Sequence, residues 1–350
     1  MPDAPRDREL KACTFIKTVL MLSVLFYHAI LFFSGTWFTA DPAEISRPLT
    51  YLARWMNTFH IYGFALVSGY LFYYSRIECG KYPTYGGFLL TKVKRLLLPY
   101  LFVVTLWVIP FHWYFFRCSF SVIVDKYILG KSASQLWFLL MLFGVFLLFY
   151  PFARLFHRFP LAGAAFVLLA YVTSIRAPWG FLGYYGLRNA LAYLPFFWLG
   201  FVLRQYKDAR FTSLLLRIPA PIPPAVHIAL FALREYLGTL SLGASFTPLL
   251  RLLQFAVTTG GALAAYLTLR RLALRVRWER PFFLQLARCS MPIYLFHQQL
   301  VYIAVTLLNG VMSPYLQVPI VVAFALGGAW GISLLFLKFR YTRPLVGEKM

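Results

Sequence analysis

Lys17 and His28 are the first residues of this chain whose types and spacing suggest chemistry. Both fall in one long apolar run, where ionisable side chains are costly and therefore functional candidates. Their separation is three helical turns, so they share one helix face, ~16 Å apart along the axis. A buried neutral imidazole suits the deprotonation of a hydroxyl, because its pKa lies near the working pH. On spacing alone, His28 reads equally as such a base and as a core histidine bonded to a backbone carbonyl. Lys17 reads either as a site residue or as a snorkelling lysine that sets topology. His60 opens the second apolar run. Antiparallel helices would bring it near the depth of His28, to orient the base or the acceptor, or merely to sit at the interface. Lys92, Lys94 and Arg95 precede the third run. Such a cluster suits phosphate groups and equally an anionic leaflet. His297, Gln298 and Gln299 lie consecutively inside the ninth run, which implies a polar cavity or hydrogen bonding between helices. Asp41, Glu44 and Asp125 are candidate carboxylate partners for His28 only by their side. His112, His157 and His227 form no usable arrangement. Metal-ligand spacings, phosphate-binding glycine loops and nucleophile elbows are absent from the sequence, so no metal is expected.

These residues need elements to hold them. The chain has 350 residues, 61% hydrophobic and 13% charged, whereas soluble domains carry about 25% charged residues. The excess falls into apolar runs, and about 20 such residues cross a bilayer as a helix. Lipid admits only helices or closed barrels, and these runs lack the alternation of barrel strands. The expectation is an all-α polytopic membrane helix bundle of about ten transmembrane helices, at 12–33, 58–75, 96–116, 135–153, 160–175, 189–206, 222–240, 248–269, 289–308 and 317–337. The net charge of +23 does not indicate nucleic acid, because its distribution follows loop sidedness. With both termini cytoplasmic, 25 of the 34 Lys and Arg residues lie on cytoplasmic segments, as the positive-inside rule requires. The seventh run is the weakest: Pro219, Pro221, Pro223 and Pro224 crowd its start, and Arg234 and Glu235 lie near its end. Removing it would put the Arg270–Arg288 cluster outside. The first run reads as a retained helix, not a cleaved signal. The four cysteines are widely spaced and read as free thiols. Residues 1–350 read as one transmembrane domain with no appended soluble domain. The lack of an internal repeat and of an intramembrane Asp counts against the main alternative, a transporter or flippase of a lipid-linked sugar or small solute.

The segment Phe15 to His28 (FIKTVLMLSVLFYH) resembles the opening helix of the acyltransferase 3 family. Further segments resemble that family's motifs in its order: Phe59-His60 with Ser68 to Phe72, then Lys94 to Tyr100 and Gln135 to Leu139 around Trp137, then Leu194 to Gly200, and Ile293-Tyr294-Leu295-Phe296-His297. Each is weak alone; six in order, over nearly the whole chain, are specific. The resemblance implies a membrane enzyme that moves an acyl group, often acetyl, from cytoplasmic acyl-CoA to a hydroxyl of a surface polysaccharide or lipid-linked glycan. It implies a multi-pass protein of the bacterial plasma (inner) membrane, with acyl-CoA as a donor substrate, no bound cofactor, and no nucleic-acid partner. His28 matches the family's histidine and would be the general base. Lys17 stands where the family usually has Arg, which keeps the charge but loses the bidentate fork. The family's basic pair maps to Lys92 and Arg95. His60, Lys94, Trp137, Tyr294 and His297 complete the expected substrate-binding set. A non-catalytic role in a polysaccharide-synthesis complex is a third reading, kept open by Lys17.

Overall fold

The computed structural model describes residues 5–37, 41–131, 133–176, 180–240 and 243–348, and among these residues all regular structure is helical. The main helices are α1 (Pro5–Leu31), α2 (Arg47–Met56), α3 (His60–Tyr73), α4 (Tyr85–Phe116), α5 (Ser134–Arg158), α6 (Pro160–Arg176), α7 (Leu187–Gln205), α8 (Arg210–Arg217), α9 (Ile222–Thr239), α10 (Thr247–Arg275), α11 (Pro281–Leu308) and α12 (Pro314–Lys338). A helix lies at each of the expected apolar runs. Six of them, α1, α4, α5, α10, α11 and α12, are long and apolar enough to cross a membrane. A seventh results if α8 and α9, which meet at 83°, form one span. Length and apolarity alone thus support six or seven spans, fewer than the expected ten. The difference has visible causes. Helix α6 has only 17 residues, α3 opens on His60, and α7 carries Arg188 and Arg204.

Proline explains the irregular helices. Pro219 and Pro221 stand at the α8–α9 bend, while Pro223 and Pro224 occupy the first turn of α9, where a missing N–H costs little. Within α4, the wide π-turns Val93–Leu97 and Val104–Val108 precede Pro99 and Pro110, absorbing the hydrogen bonds that proline removes. Two segments differ from the sequence reading. Helix α4 starts well before position 96, so Lys92, Lys94 and Arg95 lie within a helix, not ahead of one. The segment between α1 and α3 contains α2, which buries Leu49, Ala53 and Met56 on one face, an i, i+4, i+7 stripe.

Helix α1 packs against α3, α10 and α11. Helices α3 and α7 approach still more closely. A Cβ on Gly69 would lie 1.8 Å from the Phe197 carbonyl oxygen, and one on Gly200 1.8 Å from the Leu66 carbonyl oxygen. Small residues permit such backbone contact, and in lipid this packing is a main source of helix association. At one end of this pair Arg204, 2% exposed, donates to both Glu78 oxygens at 2.7 and 2.6 Å and to the Tyr70 hydroxyl at 3.1 Å. A buried guanidinium requires such pairing. Nearby, Arg270 of α10 pairs with Glu9 of α1, and Tyr70 donates to the same carboxylate at 3.2 Å.

Gly69→Ala or Gly200→Ala should force α3 and α7 apart, at a cost of about 1–3 kcal/mol or more. Each should lower the melting temperature of the detergent-solubilised protein. Gly86→Ala, where a Cβ meets nothing within 4 Å, should not. Equal melting of all three variants would contradict the close α3–α7 contact.

Candidate active site

Lys17, Met21, Val24 and His28 recur every three or four residues along α1 and so form one stripe. The stripe borders two cavities. The first, about 370 Å³, is lined by Lys17 and Met21 with Lys92 and Arg95 from α4. The second, about 540 Å³, is lined by Val24 and His28 with His60, Trp137, Gln298 and Tyr302. Ile61 and Tyr294 line both.

The described lining of the first cavity contains three cationic side chains and no Asp or Glu, which makes it an anion site by composition. Lys92 Nζ sits 3.8 Å from the Phe146 ring centroid and 5.1 Å from that of Phe88. This cation–π contact holds the ammonium while leaving its donors available. Lys92 and Arg95 share a face because they are three residues apart. Lys94, two residues from Lys92, is exposed and does not line the cavity. The expected basic trio therefore supplies two lining residues. Lys17 supplies the third charge from another helix, and Phe64, Phe138 and Leu142 make the inner end apolar.

The second cavity is organised by a chain of hydrogen bonds that fixes tautomers. His297 Nδ1 lies 2.7 Å from the Tyr294 carbonyl oxygen. A carbonyl only accepts, so Nδ1 carries the proton and neutral His297 presents an unprotonated Nε2. That Nε2 lies 2.9 Å from His28 Nδ1, which must therefore be the donor. His28 is left with an unprotonated Nε2, a base. His60 has the same tautomer, because its Nδ1 lies 2.5 Å from the Met56 carbonyl oxygen. Trp37 stacks on the His28 ring at 5.5 Å, and Tyr27 lies between His28 and His60, with centroids 5.2 and 4.8 Å away.

Helix α11 clamps the start of α5 against this network. Gln135 Nε2 donates to the Leu295 carbonyl and to Gln299 Oε1, each at 2.8 Å, and the Tyr294 hydroxyl donates to the Gln135 carbonyl. Trp137, two residues on, is thereby placed at the cavity wall, against Tyr193 at 5.7 Å.

The structure thus brings His28, His60, Trp137, Tyr294 and His297 together at one site, and Lys17, Lys92 and Arg95 at the other. The hydrogen-bond partner of His28 is an imidazole, not one of the three carboxylates; Asp125 pairs with Lys131 at 2.7 Å. Tyr27, Trp37, Gln135 and Tyr302 were not anticipated. Gln135 and Tyr27 lie inside or beside motifs already singled out, so adjacency was their available signal. His112 lines the histidine cavity and bonds the Tyr127 hydroxyl at 2.9 Å. His227 ties α9 to Thr58 at 2.8 Å, and His157 meets the Tyr73 hydroxyl at 3.2 Å. Among the described residues, no group of three or more His, Cys, Asp or Glu is arranged to hold a metal ion.

Residues 11–336 match the family model for acyltransferase 3, described as an acyltransferase domain. No curated protein and no solved structure matches the chain.

The tautomers are open to direct measurement. Nitrogen NMR of histidine-labelled protein in detergent, compared with His28→Asn and His297→Asn, should assign the Nδ1–H form to both rings at neutral pH. Free imidazole favours Nε2–H, so an Nε2–H signal from His28 would contradict the derived base.

Proposed function

The chain belongs to the acyltransferase 3 family of membrane acyltransferases, and on that premise we propose that it transfers an acyl group from cytoplasmic acyl-CoA to a hydroxyl of a surface polysaccharide or lipid-linked glycan. The observation that carries this reading is the unprotonated His28 Nε2, one cavity away from an anion site on the same helix.

The CoA phosphates meet Lys17, Lys92 and Arg95, with Lys94 at most at the rim. The pantetheine arm follows the α1 stripe toward His28. The acceptor hydroxyl gives its proton to His28 Nε2, and its oxygen attacks the thioester carbonyl. The C–S bond breaks, a C–O ester bond forms, and the proton passes to the departing CoA thiolate. As His28 takes up the proton, its bond to His297 becomes charge-assisted and stronger, favouring the transition state over the ground state. The aromatic rings of the second cavity offer faces to sugar rings. Gln298 Oε1 and His112 Nε2 are buried against that cavity without protein partners, and buried polar atoms seek partners.

The topology of this proposal is ten spans in a bacterial inner membrane, with both termini cytoplasmic. The cationic cavity then faces acyl-CoA, and the histidine cavity faces the cell surface. The reaction consumes acyl-CoA as a substrate and needs no resident cofactor.

Membranes carrying His28→Ala should transfer label from radiolabelled acetyl-CoA to endogenous glycan at least ~10²-fold more slowly than wild type. Lys92→Met and Arg95→Met should each raise KM for acetyl-CoA about tenfold, and Lys94→Met by less than about twofold. Near-normal turnover by a correctly inserted His28→Ala protein would refute this mechanism. Solute movement without ester formation would support transport instead.

A further inference from the structure

The cationic cavity and the histidine cavity have only Ile61 and Tyr294 in common among their described lining residues. Along α1, Met21 borders the first and Val24 the second, a step of only ~4.5 Å. The cavities therefore adjoin, with Ile61 and Tyr294 at the wall they share. Ile61 is 6% exposed and Tyr294 7%.

Neither part of this wall moves freely. The Tyr294 hydroxyl donates to the Gln135 carbonyl, and its own carbonyl accepts from His297, so the residue is fixed at both ends. Its ring packs on Phe138 at 5.9 Å, which in turn packs on Phe64 at 5.6 Å. Ile61 follows His60, whose imidazole is tied to the Met56 carbonyl. It is also β-branched, with a stiff first torsion.

We propose that Ile61 and Tyr294 form the aperture at which the thioester meets the acceptor, and that their bulk limits the enzyme to short acyl groups. The inference rests on the acyl-transfer reading above. Reaction requires the thioester carbonyl within roughly 3–3.5 Å of the hydroxyl oxygen. The hydroxyl is deprotonated on the His28 side and CoA enters from the Lys17 side. The carbonyl must therefore stand at the shared wall, with the rest of the acyl group against Ile61 and Tyr294. A two-carbon group adds one methyl there. Each further methylene must displace a pinned tyrosine or a buried isoleucine, and one methylene changes kcat/KM by about 10- to 200-fold in a shaped pocket.

The test compares radiolabelled acetyl-CoA and butyryl-CoA as donors in membranes that hold their own glycan acceptor. Ile61→Ala should raise the butyryl-to-acetyl ratio of kcat/KM at least ~10-fold. Ile61→Val should shift the ratio the same way by a smaller factor, which keeps the test decisive should the alanine variant fold poorly. Ile61→Phe should lower kcat for acetyl transfer by a larger factor than it weakens inhibition by free CoA, because Ile61 borders both cavities while Lys17, Lys92 and Arg95 keep their places. An unaltered ratio in both smaller variants, with acetyl transfer intact, overturns the aperture and leaves the acyltransferase reading standing. No transfer from either thioester by the wild-type protein overturns both.

Discussion

The hydrogen bond from His28 Nδ1 to His297 Nε2, at 2.9 Å, is the contact on which the site depends. A neutral imidazole donates once and accepts once, and the Tyr294 carbonyl settles which nitrogen of His297 does which. The consequence passes across the bundle and ends at a lone pair on His28. In an apolar bundle little water competes for these groups, so buried polar side chains satisfy one another between helices. Helix α11 gathers most of that network. Tyr294, His297, Gln298 and Gln299 bond to α1, to the start of α5, and to one another's helix. The polar cluster is therefore the device that sets the register of α1 and α5 against α11.

Packing supplies the rest of the precision. Glycines at 69 and 200 let α3 and α7 touch backbone to backbone, which fixes His60 and Ile61 at the start of α3. Helix α1 is held by α3, α10 and α11, with further contacts to α2 and α12, and carries the stripe from Lys17 to His28 along its length. One helix thus carries a charge beside an anion cavity and a base beside a polar, aromatic one. In the proposed reaction this one rod sets the distance between the charges that hold the donor and the base that serves the acceptor.

Much of this was legible locally. Helix periodicity is a near-neighbour property, so the shared face of Lys17 and His28 followed from their spacing, and the apolar runs located the helices. What needed the fold was contact between distant segments. His28 and His297 are 269 positions apart, and nothing in either segment states that they pair. The carboxylates considered for His28 were chosen by side, a criterion too coarse to find an imidazole. Lys94 was grouped with Lys92 and Arg95 because a cluster reads as a unit, yet helical geometry turns i+2 away. His112 gives no local signal because its partner Tyr127, on the short helix after α4, and its cavity, built by α1, α3, α5 and α11, come together only in the fold. Length and apolarity give fewer spans than the ten expected because α3 and α7 carry buried polar residues, His60 and Arg204, that hydropathy penalises.

The central claim is that donor and acceptor approach one site from opposite faces of the membrane. Inverted membrane vesicles expose the cytoplasmic face, so radiolabelled acetyl-CoA added outside should give an ester inside. Treatment with an impermeant esterase should release that label only after the vesicles are permeabilised. Full release from intact vesicles would place donor and acceptor on the same face and contradict the two-cavity path.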